Sequence, residues 1–312
     1  MTEEGGGERR WLRPLGLLAL GLALAVGQPL VLIAVAFAFL TLAVAEVRIG
    51  SIVMGAAAFA LAFAGDPSAA LWYVERGWAI LVAGWFAGVS LTWPERPFAS
   101  RALGALGGAS LWTAAVLASV NGWQTVERLV EARIRASAEA TLEFMGTIGS
   151  GEGGAGLAEA VSQTVELQST LFPALLGLGT FACLGVAWWL HVRLSEGSDT
   201  GLGAWRSFRF PDPLIWAFIA GLVLVLMAGW GVGWGRLGAN LVVFMGALYA
   251  FRGVGVLLFL SGGVSVLSGL LVVLGLVLAG PLLFMGAMVV GMGDSWFDLR
   301  NRARSGDGPT GA

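Results

Sequence analysis

An all-α, polytopic integral membrane protein, with about 8–10 transmembrane helices and an external amphipathic helical insert, is the fold this sequence predicts. Three observations lead to it. Of 312 residues, 57% are hydrophobic and 12% charged, whereas soluble domains carry roughly 25% charged residues. A soluble fold of this composition would lack a polar surface. Charge-free runs exceed the ~20 residues that a crossing helix needs, as residues 14 to 45 illustrate. Between two such hydrophobic blocks lies one polar, acid-rich stretch, residues 121 to 169.

Composition also excludes several functions. The net charge of -2 gives no basic face for nucleic acid, so no nucleic-acid partner is expected. The 48 glycines suit close helix packing in lipid. The single Cys183 cannot form a disulfide within the chain and leaves no Cys-based metal site. Arg9, Arg10 and Arg13 precede an apolar run that continues without a small-residue cleavage site, so a retained first span is expected.

Taken in order, residues 14 to 45 are too long for one crossing and break at Gly27, Gln28 and Pro29, giving two spans. A short third span follows Arg48 and is closed by Asp66, Pro67 and Ser68, because proline disfavours helical geometry in the residue before it. The fourth runs from about Leu71 to Trp93 and ends at Pro94, Glu95, Arg96 and Pro97. The fifth covers roughly Ala102 to Val120. In the polar stretch, Val126, Val130, Ile134, Ala138, Leu142 and Met145 recur at helical spacing, which predicts an amphipathic helix from about Gly122 to Met145. Gly149 to Gly156 reads as a flexible linker, and Leu157, Val161 and Val165 suggest a second amphipathic piece. Seven acids against three Arg leave this stretch at -4. A sixth span lies between Glu166 and His191, and a seventh between Asp212 and Arg236. Beyond Arg236 the run to Met292 carries one charge, Arg252.

Orientation follows from Arg, which accumulates in cytoplasmic loops. With the N-terminus inside, Arg9, Arg10, Arg13, Arg48, Arg96, Arg101, Arg193, Arg206 and Arg209 fall inside. Arg128, Arg133, Arg135 and Arg236 fall outside, with Arg76 arguable. The acidic insert is then external. An inside tail requires three segments after Arg236, and two divisions stay open. Breaks at Ser261-Gly262-Gly263 and at Gly280-Pro281 leave Arg252 within a span; a break at Arg252 puts it at the inner surface. The expected organisation is a five-span half (1–120), the external insert (121–169), a C-terminal membrane half (170–298) and a polar, disordered cytoplasmic tail (299–312).

The passages FPALLGLGTFACLGVAWWL, FRFPDPLIW, YAFRGVGVLLFL and GMGDSWFDLR resemble those of an uncharacterised bacterial membrane-protein family, the YybS-like proteins, and the likeness extends to the layout of the whole chain. That family is distantly similar in its first spans to the substrate-binding components of energy-coupling-factor vitamin transporters. Those components dock a coupling subunit through small residues on the first helix, and Ala19 and Ala23 form such a small-xxx-small pair here. This chain has more spans and a large insert. The resemblance implies an inner-membrane protein with a role in small-molecule transport, its substrate unspecified.

Several residues stand out chemically. An Arg deep in a bilayer costs at least about 2.5–3.5 kcal/mol on insertion scales and usually faces protein or a cavity, so Arg252 is a candidate intramembrane site; the plainer alternative is the inner surface. Glu75 and Arg76, a turn into the fourth span, either line an outward cavity or sit at the interface. Trp205, Arg206, Phe208, Arg209 and Phe210 interleave aromatic and basic groups, suiting contact with anionic lipid or a cytoplasmic partner. Asp294 and Asp298, at i and i+4, are expected to share a helix face and to pair with loop Arg. His191, the one histidine, lacks companion metal ligands and marks the inner end of the sixth span. No catalytic constellation occurs, so a non-enzymatic role without cofactor or metal is expected. The alternative to transport is a membrane scaffold or assembly factor, acting through the insert and inner loops on a protein partner.

Overall fold

The computed structural model describes residues 29–43, 49–64, 71–148, 154–195, 208–231, 233–261 and 266–306. Among them every regular element is helical and there is no strand, so the chain is an all-α membrane protein. Among the described residues three helices are long and apolar enough to cross a membrane, Phe98–Ser119, Gln163–Leu194 and Gly233–Leu260, and shorter apolar helices accompany them. Large exposed side chains such as Leu226, Met227 and Leu282 would be anomalous in water and suit contact with lipid.

The chain divides into two compact units, Met1–Gly201 and Leu202–Ala312. In the first, α1 (Pro29–Ala43) packs against α2 (Ile49–Ala62), α3 (Trp72–Thr92) and α6 (Gly154–Ser195). Its Val35, Ala38 and Leu40 are fully buried, so α1 is the core helix of this unit. Next, α4 (Phe98–Ser119) packs on α3 and α6, and α5 (Trp123–Ile148) packs on α6. The sixth predicted span therefore packs with the helices before it in this unit.

Two details of this unit differ from the sequence-based expectation. The second amphipathic piece of the insert is no separate helix: α6 is continuous for 42 residues, about 63 Å at 1.5 Å per residue, which is twice a bilayer core. It continues through Pro173, which sacrifices one backbone hydrogen bond, as lipid-embedded helices tolerate. The fifth span begins a turn early, with Pro97 as the N-cap of α4. Arg101, expected in a loop, is thereby helical and buried. Of the expected apolar stripe of α5, Val130 and Ile134 are buried and Val126 and Ala138 half-buried, while the side chains of Leu142 and Met145 lie outside the described ones.

In the second unit a 3-10 turn (Asp212–Leu214) leads into α7 (Ile215–Ala228). Three glycines with positive φ, Gly229, Gly231 and Gly233, turn the chain into α8 (Gly233–Leu260), so the seventh span ends before Arg236, which is helical. α8 packs against α7 on one side and α9 (Val266–Phe297) on another, and α10 (Leu299–Gly306) follows. Glycine makes these approaches close. A Cβ on Gly238 would lie 2.6 Å from the Gly221 carbonyl oxygen, and one on Gly253 or Gly291 would overlap the Ala287 or Tyr249 carbonyl oxygen. α9 is interrupted where Ala279 leaves helical geometry (φ -139, ψ 33) just before Gly280 and Pro281, because proline removes an N–H and restricts its predecessor.

α8 runs unbroken through Arg252. A break at that residue, one of the two divisions left open by the sequence, does not occur.

Candidate functional site

Three stretches of the second unit converge on Arg252: the segment before α7, the middle of α8 and the end of α9 with the start of α10. The Arg252 side chain is 2% exposed. Its Nε donates to Asp294 Oδ2 at 2.9 Å, and its Nη1 donates to Asp212 Oδ1 at 2.7 Å. Asp294 is buried as well and accepts from Nη2 of Arg300 at 2.7 Å. Arg300, itself buried, also donates through Nη1 and Nη2 to the Phe208 carbonyl, both at 3.2 Å. The buried trio Arg252, Asp294 and Arg300 thus carries +1. The fourth charge, Asp212, is 63% exposed. The cluster is neutral only through a carboxylate that remains open at one edge.

Aromatic rings wall this cluster. Phe210 is buried and lies with its ring 5.6 Å from the Arg252 guanidinium and 5.0 Å from fully buried Tyr249. Proline on both sides of Asp212 fixes the backbone that presents it. Charge-assisted hydrogen bonds of this length are the strong kind, and a cation in an apolar helix needs them.

Asp294 and Asp298 do not share a helix face. α9 stops at Phe297, and Asp298 takes a positive φ of 45°, so the two carboxylates diverge. Asp298 lies at the surface and pairs with Arg209 at 2.7 Å, accepting also from Asn301. Burial acts to raise its pKa, but the hydrogen bonds from Arg209 and Asn301 hold it below the ordinary Asp value. Arg209 is thus engaged by its own chain. Trp205 and Arg206, and likewise Ala19 and Ala23, lie outside the described residues.

Glu75 and Arg76 are taken up by the first unit. Arg76 Nε donates to the Ala62 carbonyl at 3.1 Å and Nη2 to the Ala64 carbonyl at 3.2 Å, so it satisfies the carbonyls that the end of α2 leaves free. Its guanidinium stacks 4.4 Å from the Trp72 ring centroid. Glu75 pairs with Arg133 of α5 at 3.0 Å, tying the insert to the start of α3. Its contact with neighbouring Arg76 is looser, 3.7 Å.

Asp212, Arg300 and Tyr249 escaped the sequence reading. Asp212 reads as a loop residue between two prolines, and Arg300 reads as tail. Both nevertheless fall, with Tyr249 and Arg252, inside the passages that carried the family resemblance. Among the described residues no group of three or more His, Cys, Asp or Glu could hold a metal ion.

A family model described as "Predicted membrane protein (DUF2232)" matches residues 16–295. No curated protein and no solved structure matches the chain.

Proposed function

The chain belongs to the predicted membrane-protein family DUF2232, and on that premise we propose that it is a component of small-molecule transport, with the Arg252 cluster as its substrate contact. The observation that carries this is the asymmetry of the cluster. Arg252 is held on one edge by buried Asp294 and on the other by largely exposed Asp212. A solute carboxylate or phosphate can replace Asp212 on Nη1 while Asp294 stays in place, so binding leaves the buried charge balance intact. Ionisable groups inside apolar helices commonly mark solute pathways, and the interruption of α9 at Ala279 supports the same reading, since transporters build sites beside discontinuous helices. The resemblance to YybS-like proteins, and through them to energy-coupling-factor substrate-binding components, also supports it. In this reading the protein lies in a bacterial inner membrane with a cytoplasmic N-terminus, as the Arg distribution favours.

The test is mass spectrometry of small molecules extracted from purified protein. The wild type is expected to retain an anionic solute that Arg252→Gln, purified folded, has lost. A wild type carrying no more than an unrelated membrane protein prepared alongside, or equal retention by the variant, would overturn the proposal.

A second reading, a scaffold or assembly factor, is favoured by the insert. α5 packs on α6, buries Val130 and Ile134 and is tied by Arg133 to Glu75, while Arg128, Arg135 and Glu139 stay exposed. That arrangement presents a charged helix face to a protein partner. Replacing residues 123–162 by a short Gly/Ser linker should then remove copurifying proteins; an unchanged set would contradict this reading.

A further inference from the structure

Among the described residues, the first unit contains a buried cation that no anion pairs. Arg101 is 7% exposed, its Nε has no hydrogen-bond partner, and its guanidinium lies 4.2 Å from the centroid of the Trp188 ring. Stacking on an aromatic face attracts a cation but leaves the buried Nε–H without a hydrogen bond. The same Trp188 ring packs against His191, 5.7 Å between centroids, and His191 Nδ1 is likewise buried without a partner. Phe86 touches Trp188 and Phe98; one turn beyond it in α3, on the same face, the buried Ser90 hydroxyl is a third polar group lacking a partner.

Arg101 occupies the first turn of α4, where a cation is misplaced. Helix N-termini present free N–H groups and a positive dipole, which favour anions. The N-cap here is Pro97, with no side-chain cap and no acid in the first turn. Only from Arg101 onward does a backbone N–H find its partner, the Pro97 carbonyl. Dipole and unpaired guanidinium both call for negative charge here, and the unpartnered His191 nitrogen against the same Trp188 ring adds a polar group that a ligand can satisfy.

We propose that the first turn of α4, with Arg101 on Trp188 and with His191 and Ser90 beside it, is a binding site for a phosphate-type oxyanion. A guanidinium fork and helix N–H groups are complementary to two phosphate oxygens. The helix start leaves the membrane span only a turn away, at Pro97, so the phosphate can come from a phospholipid headgroup or from a soluble phosphate-bearing solute. The site is independent of the Arg252 cluster and of the transport reading.

The experiment measures thermal unfolding of the full chain in detergent while one of three probes is titrated: phosphatidylglycerol, phosphatidylcholine or inorganic phosphate. Stabilisation by phosphatidylglycerol alone identifies a lipid headgroup, and stabilisation by inorganic phosphate identifies a soluble source. In either case Arg101→Gln should weaken the response at least about tenfold, and Arg101→Lys should retain part of it. Should Arg101→Gln fail to fold, Ser90→Ala and His191→Phe provide the same comparison with smaller losses. Equal responses to all three probes, no response to any, or an anion response unchanged in these variants would overturn the proposal and leave Arg101 as a stacking residue.

Discussion

Arg252 and Asp294 stand forty-two residues apart in sequence and meet through a 2.9 Å hydrogen bond in which both partners are buried. The pair joins α8 to the end of α9. Asp294 simultaneously receives Arg300 at 2.7 Å, so a single carboxylate orders three elements. Truncating one member of such a buried group leaves an uncompensated charge, which typically costs about 3–5 kcal/mol.

Asp212 should behave differently from Asp294. Because its carboxylate is mostly exposed, Asp212→Asn is expected to cost about 1 kcal/mol or less, whereas Asp294→Asn should reach the ~3 kcal/mol range. Denaturant unfolding of the purified variants measures both. Equal losses would mean that the open edge of the cluster is as structural as the buried one.

Backbone contact between α8 and α9 depends on Gly253, where a Cβ would overlap the Ala287 carbonyl oxygen. Gly253→Ala is expected to destabilise by about 1–3 kcal/mol through overpacking. Gly286→Ala, with open space at the Cβ position, should stay within about 0.5 kcal/mol of wild type. A thermal midpoint for each variant decides the matter.

The Glu75 to Arg133 pair is the tie between α3 and the insert, and Arg133 is 40% exposed. Arg133→Ala should cost at most about 1 kcal/mol globally but should speed protease cleavage within α5, since the buried Val130 and Ile134 then lose the ion pair between them. An unchanged cleavage rate would show that the apolar stripe suffices.

The surface clasp of Arg209 and Asp298 titrates. The folded-state pKa of Asp298 is depressed, so its contribution is fully present above the ordinary Asp value of about 3.9 and is lost as pH falls through the lower folded value. Limited proteolysis of the C-terminal segment should accelerate in that acid window in wild type. Asp298→Asn should show the faster cleavage already at neutral pH and lose the acid step.

The sequence disclosed the helical class and several boundaries, notably α3 and the stripe of α5, because lipid and helix periodicity impose plain constraints. It disclosed Arg252 because a lone charge in an apolar run is conspicuous. What it hid follows from one assumption, that charges mark the ends of spans. Arg101 and Arg236 break that rule inside helices, Arg101 stacked on the ring of Trp188 two helices further along the chain. Asp212 and Arg300 gain their meaning only from Arg252 and Asp294 folding against them, and no local spacing announces that. The continuity of α6 was hidden for a simpler reason: a change from polar to apolar composition resembles a boundary even where the backbone needs none.

The most direct test of the account is a double-substitution cycle on Arg252 and Asp294, using Arg252→Gln, Asp294→Asn and the pair, with unfolding free energy as the readout. A coupling of about 1–3 kcal/mol is the expected result, because each group is buried against the other. Losses that add to within about 0.5 kcal/mol would contradict it and remove Arg252 from the centre of this molecule.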